Sequence, residues 1–174
     1  GIAVAVLVGD ESSLRAKASE WGIDADLFEF SDLGDEDYTS SICERYLALP
    51  TTILKEKGVR RRAAKNLERA LIMEAVGDVD ITFAGITSTT GDVIIAGQTI
   101  IGLADGIDTP SSCGIFDIPG YEGPEGRLLG FGDSAVCANP TPEQLASIAI
   151  SCCDTVSALT GWVPRCALLS YSTC

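Results

Sequence analysis

Short apolar runs that end at turn residues, alternating with stretches of helical spacing, restrict this chain more than any other feature. The run Ile2–Val8 reads as a strand ending at Gly9-Asp10, and Glu11–Trp21 then has helical spacing. Asp26–Phe30 reads as a short strand and Asp35–Leu49 as a helix that Pro50 breaks, since proline removes an amide donor and clashes with the preceding turn. Arg60–Val76 predicts a further helix, with Ala64, Leu67, Leu71, Ile72 and Ala75 on one face. Asp80–Ala84 predicts a strand running into Gly85, and Ser88–Asp92 a turn that opens a helix ending near Gly102. Ser111–Ile118 and Arg127–Phe131 predict neighbouring strands around the Gly/Pro-rich turn Pro119–Gly126. Thr141-Pro142-Glu143-Gln144 is a helix start in which Thr141 caps, Pro142 takes the first position and Gln144 completes a capping box. That helix carries Leu145, Ile148, Ala149, Cys152, Val156 and Leu159 on one stripe and stops at Gly161, before a last strand, Arg165–Tyr171.

Strands alternating with helices predict an α/β fold, with a mainly parallel sheet covered by helices on both faces. Ligands of such sheets bind beyond the carboxyl ends of the strands, here Gly9-Asp10, Gly85–Thr90 and Ser170–Cys174. The chain opens inside a strand with no initiator Met, as expected of a segment of a longer polypeptide.

The apolar content of 46% supports a globular core. No apolar run reaches the roughly 20 residues of a membrane helix, and the opening run lacks the cationic lead-in of a signal peptide. Membranes are therefore not expected as partners. A formal charge of −13 argues against nucleic acid, whose phosphates need a basic face. The absence of histidine excludes Cys/His zinc sites and histidine bases, and no metal site is expected. Seven cysteines without a CxxC pair read as reduced, buried, intracellular thiols, which predicts a cytoplasmic protein.

Seven of the twelve cations, Lys55, Lys57, Arg60, Arg61, Arg62, Lys65 and Arg69, fall within fifteen residues. Such a cluster on an acidic protein either attracts a modest anion or forms a solvated helix face paired with carboxylates. Two hydroxyl-rich loops, Thr87-Ser88-Thr89-Thr90-Gly91-Asp92 and Ser170-Tyr171-Ser172-Thr173, follow predicted strands. With Ser111-Ser112 they are candidates to surround a phosphate, or they are plain helix caps.

Three stretches in order resemble the phosphate acetyltransferase (phosphotransacetylase) family. Gly77–Ser112 resembles that family's strand, Thr-Ala-Asp-type loop, helix and paired serines. Phe131–Ile150 resembles its strand, Asp, Asn-Pro turn and Leu-Ala-x-Ile-Ala helix. Val163–Thr173 resembles its Pro-Arg-x-Ala-x-Leu-Ser-x-Ser-Thr strand and loop. The resemblance is weaker before Gly77, and this chain looks like a central segment of the family.

The resemblance implies a three-layer αβα fold like that of isopropylmalate dehydrogenases, with residues 1–86 in one α/β domain and 87–174 in a second. It implies a homodimer with no cofactor, whose substrates are acetyl phosphate and coenzyme A. The coenzyme A thiolate attacks acetyl phosphate directly; a carboxylate assists removal of the thiol proton and an arginine stabilises the developing charge. In the family those two groups belong to a C-terminal Ser-Arg-Gly-Cys region that this sequence does not contain. Thr89, Thr90, Ser111, Ser112, Ser170, Tyr171, Ser172 and Thr173 are the implied substrate-binding residues, and Lys57, Arg60, Arg61 and Arg62 the candidates for the coenzyme A phosphates. Two positions depart from the pattern: Ile95 stands where the family has an arginine, and Cys174 where it has a lysine. A diverged, non-catalytic binding or assembly subunit is the alternative reading.

Overall fold

The computed structural model describes residues 3–169, and the part of the second hydroxyl loop at 170–173, with Cys174, lies outside them. The described residues form two compact units that divide between Gly102 and Leu103.

The first unit begins with strand β1, Ala5–Gly9, which runs into helix α1, Glu11–Glu20. Asp10 caps α1 by accepting from Ser13 N at 2.7 Å, satisfying one of the orphan amides of a helix start. After a short turn at Ala25–Leu27, strand β2, Phe28–Asp32, pairs in parallel with β1, Leu7 opposite Phe30. Helix α2, Glu36–Leu47, is capped by Asp35, whose side chain accepts from Tyr38 N.

Next come helices α3, Glu56–Ala63, and α4, Asn66–Ala75, where the sequence pattern predicts one helix over Arg60–Val76. The chain breaks at Ala64 and Lys65, the latter extended with φ −123° and ψ 138°. Arg69, 0% exposed, donates from Nη1 to Ala63 O at 3.4 Å, beside this break. Residues 80–84, predicted as a strand, form none among the described residues and pair with no described strand. Helix α5, Thr90–Ile100, closes the unit. Ile42, Cys43 and Tyr46 of α2, Val59 and Ala63 of α3, Leu71, Ile72 and Met73 of α4, and Ala96 and Ile100 of α5 make its core. Tyr46, buried by its ring, donates its hydroxyl to Ile100 O at 2.8 Å.

The second unit holds strands β3, Cys113–Asp117, and β4, Leu128–Gly132, and helix α6, Pro142–Thr160. The two strands pair antiparallel, with Ile115 opposite Gly130, within a fold expected to be mainly parallel. Only a turn separates them, and a parallel pair needs a long crossover. α6 starts at Thr141 with the predicted capping box and stops at Gly161, whose φ of +74° suits a residue without Cβ. Its stripe buries Ile148 and Val156, while Leu145 and Leu159 are exposed. Residues 165–169 form no strand, and the rest of that predicted strand lies outside the described residues. Mixed α/β architecture is the result, with one parallel and one antiparallel strand pair among the described residues.

Candidate functional site

In the first unit a depression of about 400 Å³ is lined by Arg62 and Lys65 at the α3–α4 corner, Glu68, Thr87 and Ser88 before α5, and Asp92 and Ile95 on it, among others. Part of the basic cluster and part of the first hydroxyl loop thus share one wall and floor. Arg62 lies in the last turn of α3 and Lys65 stands at the N-cap position of α4, and both line this hollow.

The charges there are nearly balanced. Lys65 Nζ pairs with Glu68 at 2.9 Å. Arg62 has no carboxylate partner among the described residues and donates to Gly58 O at 3.4 Å. Thr89 is the α5 cap: its Oγ1 accepts from Asp92 N at 3.2 Å and donates to Asp92 Oδ2 at 2.7 Å. Asp92 therefore places a carboxylate on the positive end of the helix, where an anion would otherwise sit. Thr90 is the exposed first residue of α5. Ile95 is 64% exposed and lines the hollow without charge.

The other candidates are distributed differently. Lys57, Arg60 and Arg61 are exposed on α3 and do not line the depression. Arg60 pairs with Glu56 at 3.3 Å. Arg69, counted with the cluster in the sequence, is interior instead. Its Nε donates to Ser31 Oγ at 2.9 Å, its Nη1 to Thr39 Oγ1 at 3.0 Å, and it lies 5.4 Å from the Tyr38 ring centroid. Burial pulls its pKa down, opposed chiefly by Tyr38, Asp35 and Asp32. Thiol burial also differs from expectation: Cys43 is buried, four others are partly so, and Cys166 is exposed.

In the second unit Ser112 belongs to a network that the sequence reading did not identify as such. Asp133 accepts from Ser112 N at 3.0 Å, Ser112 Oγ, Ala135 N at 3.1 Å and Cys137 N at 2.6 Å. Ser134 N in turn donates to Ser112 Oγ at 3.0 Å. Burial alone would raise the Asp133 pKa, but the bonds from Ser112 and the backbone amides of 135 and 137 outweigh it and hold the carboxyl well below the usual range. Ser111 is half-buried beside it in sequence, and Cys152 donates to Ser112 O at 3.7 Å. The signal for this network was Gly132-Asp133-Ser134, an aspartate followed by small residues whose amides can turn back on it. Ser170, Tyr171, Ser172 and Thr173 lie outside the described residues.

No helix among the described residues is long and apolar enough to cross a membrane.

The chain is similar to the phosphate acetyltransferase of Clostridium acetobutylicum, 35% identical over 178 residues that cover 99% of this chain and 52% of that protein. It is similar also to the phosphate acetyltransferase of Treponema pallidum, 36% identical over 96% of this chain and 50% of that protein. Among solved structures, the EutD phosphotransacetylase from Staphylococcus aureus shares the fold, with a TM-score of 0.75 at 23% identity over 97% of this chain and 49% of that one. The chain spans about half the length of the curated relatives it matches. A model of the family described as phosphate acetyl/butaryl transferase matches residues 1–174, and the chain belongs to that family.

Proposed function

We propose that this chain is part of an acyltransferase that moves an acetyl group between acetyl phosphate and coenzyme A. The observation that carries the reading is the match of the family over the whole chain. The depression between Arg62, Lys65, Thr87 and Ser88 supports it as a seat for a phosphate group of coenzyme A. Arg62 supplies the unpaired charge, and the hydroxyls of Thr87 and Ser88 supply donors without bulk. Ser111, Ser112 and the loop 170–173 are kept as contacts to the acetyl phosphate end. The chemical step needs a group to take the thiol proton and a cation to hold the developing oxyanion, and both are assigned to polypeptide beyond the 174 residues. A homodimeric, cytoplasmic protein with a three-layer, dehydrogenase-like fold in two domains dividing near residue 86 completes the proposal, on the strength of the resemblance.

Two experiments test it. Titration calorimetry of the folded chain with coenzyme A should give measurable binding. The triple change Arg60→Ala, Arg61→Ala, Arg62→Ala should weaken it at least tenfold, and an unchanged affinity would remove the basic cluster from the site. Incubation with acetyl phosphate and coenzyme A should give no thioester from this chain and steady turnover from the full-length protein. A full-length protein without turnover would favour a non-catalytic subunit.

A further inference from the structure

Two thiols of the second unit meet in one open hollow. Cys152 and Cys153 are neighbours on α6, and adjacent helical positions point about 100° apart. Cys152 turns to the strands, where it donates to Ser112 O at 3.7 Å and fills the space beside Gly132. Cys153 turns instead into a depression of about 300 Å³ lined by Ala149, Ile150, Cys153, Asp154 and Cys166. The first four are spaced i, i+1, i+4 and i+5, which makes them a single strip of α6. Cys166, from the segment after α6, supplies the wall that the helix does not. Cys153 is half-buried and Cys166 exposed. Burial pushes the Cys153 thiol up; Cys166, close enough to act on it by charge and by hydrogen bonding, and then Asp154 push it the same way.

A half-buried thiol beside an exposed one in an open depression suits disulfide exchange. Metal binding needs further ligands, and no group of three or more acidic, thiol or imidazole side chains gathers for it among the described residues. We propose that Cys153 and Cys166 form a reversible oxidation site whose co-reactant is a low-molecular-weight disulfide. The exposed Cys166 gives its proton to solvent, and its thiolate attacks one sulfur of that disulfide. The S–S bond of the small molecule breaks, one small thiolate leaves and takes up a proton, and a mixed disulfide stands on Cys166. Cys153, held beside it, then loses its proton and attacks Cys166 Sγ; the mixed disulfide breaks and the second small thiol departs. Two protein thiols are oxidised and one small disulfide is reduced to two thiols. Burial makes Cys153 a slow first attacker, but proximity compensates once the mixed disulfide is in place. The bond fastens to α6 the segment that leads to Ser170. This chemistry goes beyond the acetyl-transfer reading and does not depend on it.

The test uses the reduced 174-residue chain and the full-length protein. Each is incubated with glutathione disulfide, quenched in acid, alkylated and mapped by mass spectrometry. In both, the thiols of Cys153 and Cys166 should be lost together, joined as a disulfide, and should return in dithiothreitol. Samples quenched early should carry glutathione on Cys166. Cys153→Ser should hold the reaction at that mixed disulfide, Cys166→Ser should abolish the modification of Cys153, and Cys113→Ser should change neither step. The early-quench pattern is read on the unaltered protein, so it decides the order of attack even where a variant misfolds. Both thiols left free in either protein, glutathione appearing first on Cys153, glutathione retained on Cys166 without exchange, or either cysteine joined to another would each overturn the proposal.

Discussion

Asp133 and Ser112 hold each other twice: the carboxylate accepts both the amide and the hydroxyl of the serine. The same carboxylate gathers the amides of Ala135, Val136 and Cys137, so one side chain closes the loop that leads from β4 toward α6. Replacing Asp133 by Ala would leave these partly buried donors without an acceptor. The expected cost is about 2–4 kcal/mol, read as a lower denaturant midpoint for the second unit.

The same contact makes stability depend on acid. The Asp133 carboxyl is held below its ordinary value in the folded chain, so the folded state prefers it ionised. Its contribution is fully present above the unfolded value of about 3.9 and is lost progressively as pH falls below that. Asp133→Asn should flatten this part of the stability profile between about pH 4 and pH 2. An unaltered profile would mean that the carboxylate contributes nothing.

At the alkaline end the relevant group is Tyr38. Burial, with the bond from its hydroxyl to Asp78 at 2.7 Å, pushes its pKa up to about 12. A raised folded value means the folded state favours the neutral phenol. Its contribution is present below the ordinary value of about 10 and is lost as pH rises through the window from there to about 12. Tyr38→Phe should remove the loss of stability in that window, as followed by thermal melting at a series of pH values.

Gly132 has no room for a side chain. A Cβ there would collide with Cys152 Sγ on α6 and lie 2.9 Å from Ser112 O. Gly132→Ala is expected to cost about 1–3 kcal/mol through overpacking. Combining it with Cys152→Ala should recover part of the loss, since the sulfur is one of the two obstacles. A double variant no better than the single one would place the strain on the backbone carbonyl.

Ile95 offers the opposite experiment, a gain. It is exposed and lines the depression with Arg62 and Lys65, so Ile95→Arg adds a cation at little cost to folding. Coenzyme A affinity should rise by roughly two- to fivefold, the worth of an exposed charge pair, and the gain should shrink in high salt. Equal affinity at low salt would separate this hollow from the coenzyme A site.

Elements whose cause is local were legible in the sequence. The α6 cap and stop, Thr141 with Gln144 and then Gly161, lie where the residues predict them, and so do β1, α1 and α2 within a few residues. Features set by distant partners were not. The break at Ala64-Lys65 carries no glycine or proline, and buried Arg69 reaches back to Ala63 O beside it. Nothing in a run of seven cations distinguishes the one that enters the core from those left in water. The strand predicted at 80–84 does not form among the described residues, because alternation states a preference and a strand also needs a pairing neighbour. Within the candidate site, the resemblance drew attention to Ser112, and the carboxylate that organises it became visible only through geometry.

Arg69 joins the α3–α4 corner to the interior: one nitrogen meets Ala63 O and Thr39, another meets Ser31 on β2. Arg62 and Lys65 ride on the outside of that corner. An anion drawn onto them would thus press on a bend whose inner side is already moored to the sheet, so little of the attraction would be spent on deforming the chain. The surface cations are free to vary with the ligand, whereas the arginine beneath them sets how stiffly they are presented.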